Sequence, residues 1–81
     1  MGINSNRYRR DDHMIKIVGQ NIRKYRKLKG LTIMQLSYKC EISTKQIGDY
    51  ERGKVDTNIT MLSILAKHLE IKPFLLLMEE E

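Results

Sequence analysis

The sequence predicts an all-α fold of five short helices around one small core. Three observations carry this. Helix-capping signals recur along the chain, apolar residues return at three- and four-residue spacing, and no segment sustains the two-residue alternation of a half-buried strand. Eighty-one residues make one domain, of a size at which self-association adds useful stability. The domain is expected over residues 13–78, between a flexible basic arm at 1–12 and an acidic tail at 79–81.

Residues 1–10 are polar and basic, and read either as a basic arm or in part as an appended remnant. Asp11 and Asp12 then offer an N-cap and a favourable charge for helix 1, expected over His13–Lys29. Ile15, Val18, Ile22 and Tyr25 form its apolar stripe, and Gly30 ends it. Helix 2 is expected over Ile33–Cys40, with Leu36 and Cys40 inward and the small Ser37 suiting a close crossing. Helix 3 is expected over Thr44–Arg52, with Ile47 and Tyr50 inward, Ile42 filling the turn before it, and Gly53 stopping it. Asn58 caps helix 4, Ile59–Leu69, whose expected buried set is Ile59, Leu62, Leu65, Ala66 and Leu69. Pro73 suits the first position of a fifth helix ending near Met78.

Helices 2 and 3 open alike. Thr32 with Gln35 and Ser43 with Gln46 both have capping-box spacing, and the few residues between the helices force a sharp turn. That is the pattern of a helix-turn-helix, whose second helix is shaped to enter a DNA major groove.

Charge is unevenly spread. The net charge is +5, yet residues 1–30 hold nine Lys and Arg against Asp11 and Asp12, while residues 31–81 hold six basic and eight acidic residues. A basic front suits a polyanion or is simply a solvated helix face. The single cysteine, Cys40, rules out an internal disulfide and fits a reducing compartment, and the absence of an apolar leader points to a cytoplasmic, nucleoid-associated protein. His13 and His68 lie far apart, and no motif pairs a nucleophile with a base or spaces metal ligands. Neither an enzyme, nor a metal site, nor a cofactor is expected.

From Gly19 to Leu77 the chain resembles the phage repressor and Cro family, the xenobiotic-response-element-type helix-turn-helix. The resemblance rests on GQNIRKYRKLKGLT, QLSYKC, ISTKQIGDYERGK and LSILAKHL taken together. It implies a compact lambda-repressor-like domain in which Arg26 pairs with Glu51. The family's glutamine opening helix 2 is here Ile33, its turn glycine is Glu41, and its proline before helix 4 is Thr57. Carried onto this chain, the pattern places Thr44, Lys45, Asp49 and Gln46 toward base edges. Gln46 could equally reach a phosphate or only its own cap. Arg26, Ile33 (through the helix 2 N-terminus), Ser43, Arg52 and Lys54 are placed on phosphates. Arg7, Arg9 and Arg10 would supply a minor-groove arm or non-specific attraction. Gly48, inside helix 3, reads either as clearance for the DNA backbone or as tolerance.

Phe74, Leu75, Leu76, Leu77 and Met78 exceed what one buried stripe needs, which suggests a homodimer surface. The expected function is sequence-specific binding to a palindromic operator in duplex DNA. The protein would be a bacterial or phage repressor or a restriction–modification controller, with RNA polymerase as a further partner. The alternative is a protein-binding module or toxin antidote on the same fold.

Overall fold

A computed structural model describes residues 9–80. Its α-helices are α1 (Asp12–Leu28), α2 (Ile33–Cys40), α3 (Thr44–Glu51) and α4 (Ile59–Leu69), followed by a single 3-10 turn at Pro73–Leu77. The expectation of five helices is thereby corrected to four among the described residues. The last segment has Pro73 at its start, no side-chain cap on Lys72, and extended backbone again at Met78. Five residues between those limits are too few to propagate an α-helix against its nucleation cost.

Local chemistry sets the ends of the other elements. The Asp11 carboxylate accepts from the Met14 amide at 3.0 Å, so α1 starts at Asp12, one residue ahead of expectation. Gly30, at φ 76°, turns the chain out of α1, and the Leu31 amide reaches back to the Arg26 carbonyl at 3.0 Å. At α2 the capping box is complete: Thr32 Oγ1 accepts from the Gln35 amide at 3.0 Å, and Gln35 Oε1 accepts from the Thr32 amide at 2.9 Å. At α3 only half of the expected box forms. Ser43 Oγ accepts from the Gln46 amide at 3.0 Å, but the Gln46 side chain donates to the Tyr50 hydroxyl at 2.8 Å. The Gln46 side chain is turned along α3 toward the Tyr50 hydroxyl, and its oxygen does not reach back to accept from the Ser43 amide. Asn58 caps α4 through its side-chain oxygen, 2.7 Å from the Met61 amide.

Ile22, Leu36, Ile47, Leu65 and Leu76 are fully buried, one from each element. Each contributes about 1.5–3 kcal/mol of burial. The expected α1 stripe holds at Ile15, Val18 and Ile22, with Tyr25 half-buried. Ile17 and Asn21, on a second side of α1, are buried too, because the segment after the 3-10 turn runs along that side. In α4, Ile59 is 84% exposed rather than buried. As the first residue of the helix, it lies ahead of the turns where Met61, Leu62 and Ile64 pack against the core.

Gly19 makes the crossing of α1 and α3 possible. A Cβ there would stand 2.2 Å from the Tyr50 carbonyl oxygen, closer than any side chain permits. Ser37, 6% exposed, folds its hydroxyl onto the Met34 carbonyl at 2.8 Å and lets α2 lie close against its neighbours.

Candidate nucleic-acid interface

Two contacts lock α3 in place. Its inner face carries Ile47 and Tyr50 into the core. Its last residue, Glu51, pairs with Arg26 of α1: Nε donates to Oε2 at 2.6 Å and Nη2 donates to Oε1 at 3.0 Å. The pair is bidentate and both side chains are nearly buried, at 9% and 3% exposure. Arg26 Nη1 also donates to the Leu31 carbonyl at 2.8 Å, which ties the same guanidinium to the loop entering α2. The hydrogen bond to Glu51 raises the Arg26 pKa against the opposing effect of burial. All three nitrogens of the Arg26 guanidinium thus hydrogen-bond within the protein, which makes Arg26 a structural anchor between α1, α3 and the loop entering α2.

The outer face of α3 is polar and charged. Ser43, Thr44, Lys45, Arg52 and Lys54 are exposed and Gln46 is half-buried. Asp49 lies among them at 8% exposure. Its Oδ2 accepts from Lys45 Nζ at 2.8 Å and its Oδ1 from Arg52 Nη2 at 2.7 Å. The Lys45 hydrogen bond, then that of Arg52 and the nearby charge of Lys54, hold the Asp49 carboxyl below its ordinary value. Asp49 was expected to face bases, yet its oxygens engage Lys45 on its own helix and Arg52 at the helix C-cap. The i,i+4 and i,i+3 spacing of acid and bases carries that signal in the sequence.

Beside α3, Thr32 and Ile33 begin α2. The first amides of a helix have no intrahelical acceptor, so those of Ile33 and Met34 form an anion-seeking end even without a polar side chain. Glu41, in the turn, adopts φ 60° and ψ 40°, the left-handed conformation that favours glycine. Arg10 Nη1 donates to the Lys54 carbonyl at 3.3 Å, which brings the chain ahead of α1 to the loop after α3. Arg7 lies outside the described residues.

The C-terminal segment forms a separate surface. Asn21 Nδ2 donates to the carbonyls of Leu76 at 3.0 Å and Met78 at 2.8 Å. Leu76 is fully buried, so it belongs to the monomer core and not to an interface; Leu75 is half-buried. Phe74, Leu77 and Met78 are 54%, 46% and 52% exposed. Sequence reasoning missed Asn21, since one amide within an apolar helix carries no distinct pattern. Beyond the segment, Glu79 lies 3.3 Å from His13 Nε2, and Glu80 pairs with Lys24.

Residues 22–76 match the model of a helix-turn-helix family, HTH_3. The chain belongs to that family. Its DNA-binding helix-turn-helix is of the xenobiotic-response-element type found in transcription regulators. No curated protein matches significantly. Among solved structures, the restriction-modification controller protein C.AhdI from Aeromonas hydrophila is 29% identical, with a TM-score of 0.74 over 76% of this chain and 94% of that one. A point mutant of the restriction-modification controller protein C.Esp1396I is 28% identical, with a TM-score of 0.72 over 78% of this chain and 80% of that one. The DNA-binding domain of BldD shares the fold at 24% identity, with a TM-score of 0.77 over 85% of this chain and all of that one. Among the described residues, no helix is long and apolar enough to cross a membrane.

Proposed function

We propose that this chain is a sequence-specific regulator of transcription that binds a palindromic operator in duplex DNA as a homodimer, in the manner of a restriction–modification controller. The observation that carries this reading is α3 itself. Its inner face is fixed by Ile47, Tyr50 and the Arg26–Glu51 pair, while Thr44 and Lys45 stand exposed at its start. Lysine there can donate to guanine O6 or N7, and the threonine methyl can pack on thymine. Gln46 contributes from the next position. Ser43, the α2 amides at Ile33, Arg52 and Lys54 hold phosphates on either side and set the register.

Phe74, Leu77 and Met78, with part of Leu75, form the two-fold contact and place two copies of α3 about one DNA turn apart. The likeness to two controller proteins over most of their length supports this version.

A second reading has one observation in its favour. Met34 and Tyr38, on the outer side of α2, are 71% and 85% exposed, which suits a protein partner.

Selection from a random duplex pool at ~0.15 M salt separates the two, because sequence-specific binding survives the screening that removes most non-specific attraction. Recovery of a palindrome supports the regulator. Weak, sequence-blind, salt-sensitive binding alone overturns it in favour of the protein-binding module.

A further inference from the structure

We propose that Asp49 is a positioning residue of the DNA-binding face: it holds Lys45 and Arg52 in place for DNA and does not itself read a base. This rests on the regulator reading above. One carboxylate, its side chain 11% exposed, engages a cation on each oxygen, Lys45 one turn before it and Arg52 just after the helix. Those cations are the exposed members of the cluster, at 81% and 60%. The acid is sunk between the two groups that face outward.

Gly48 belongs to the same device. A Cβ on it would lie 3.0 Å from Arg52 Nη1 and 3.4 Å from Nη2. The guanidinium therefore lies across bare backbone on its way to Asp49, and a side chain at position 48 would press on it and make it give by a few tenths of an ångström. This accounts for a helix-interior glycine without appeal to the DNA backbone.

The physical effect is twofold. A lysine and an arginine held before binding lose less freedom on binding, which favours the one DNA geometry they are set for. A carboxylate between them also weakens attraction to arbitrary duplex DNA, since non-specific binding follows net phosphate neutralisation. Selectivity rises from both sides.

The test compares wild type with Asp49→Asn and Gly48→Ala on the selected operator and on random duplex, across salt concentrations, with thermal melting as the fold control. Asp49→Asn should strengthen random-duplex binding roughly three- to tenfold at 0.1 M salt and steepen its log–log salt slope by about one. The operator-to-random ratio should fall by a similar factor or more. Gly48→Ala, which crowds Arg52 alone, should lower that ratio in the same direction by less. An unchanged ratio and slope in Asp49→Asn overturns the proposal. So does lost preference at a single cytosine with random-duplex affinity unchanged, which would make Asp49 a base reader.

A readout without DNA keeps this apart from failure of the regulator reading. In nitrogen-15 spectra of the free protein, Lys45 Nζ and the Arg52 guanidinium should show slowed exchange and rotation, both lost in Asp49→Asn. Freely averaging signals in wild type overturn the proposal whatever the DNA result.

Discussion

Gly19 and Tyr50 meet more closely than any other residue could allow: a Cβ on Gly19 would lie 2.2 Å from the Tyr50 carbonyl oxygen. The contact sets how deeply α3 seats against α1, and therefore how the outer face of α3 is presented. Gly19→Ala gains helix propensity of about 1 kcal/mol. Overpacking against backbone that cannot swing aside costs about 1–3 kcal/mol or more. The expected outcome is a net loss of stability in urea titration, with DNA affinity reduced further than the lost folded fraction explains.

The Arg26–Glu51 pair should behave as a buried unit. Glu51→Gln or Arg26→Ala leaves one charge buried without its partner, and either should cost about 3–5 kcal/mol. A double replacement by apolar residues of similar volume, Arg26→Met with Glu51→Leu, should lose much less. Chemical denaturation of the three variants checks this; equal losses in single and double variants would mean that the cost does not come from stranding a buried charge.

Glu41 keeps a left-handed backbone at a cost of about 1 kcal/mol or more that glycine avoids. Glu41→Gly should therefore raise stability by about 1 kcal/mol and the melting temperature by roughly 4–8 °C. Calorimetry reads both. A drop would show that the Glu41 side chain makes a compensating contact.

Acid sensitivity follows from two carboxylates. The hydrogen bond from Lys45, then that of Arg52, lowers Asp49 from its ordinary 3.8, and the hydrogen bond and charge of Lys29 lower Glu70 from 4.5. Stability gained this way is complete above those ordinary values and is lost as pH falls through the lower folded ones. The double variant Asp49→Asn, Glu70→Gln should show a smaller difference in urea midpoint between pH 7 and about pH 3 than wild type does. An equal difference would place the acid sensitivity elsewhere.

The parts of this molecule written in short-range chemistry were legible in its sequence. Asn58, Thr32 and Ser43 cap where a hydroxyl or amide must satisfy open amides, and Leu36, Ile47 and Leu65 fall on stripes that only one face can bury. What was not legible depends on which element comes to lie alongside which. The burial of Ile17 and Asn21 exists only because the C-terminal segment runs along α1, and the exposure of Ile59 because α4 begins beyond the packed region. On the outer face of α3 the residue types were readable as polar and basic. The commitment of Asp49 to its neighbours, and of Arg26 to the interior, required distances. The helix-turn-helix membership over residues 22–76 agrees with the resemblance read over Gly19 to Leu77.

The bonds from Asn21 to Leu76 and Met78 join positions 55 and 57 apart. With Leu76 completing the core, the second side of α1 is covered, among the described residues, by the segment synthesised after the four helices. During translation, the four capped helices have only local signals to hold them, and the core is completed when residues through Leu76 have cleared the ribosome. A nascent or truncated chain ending before them would carry a readable α3 on an unfinished support. Regulatory competence therefore arrives late and nearly all at once, at the close of synthesis of this segment.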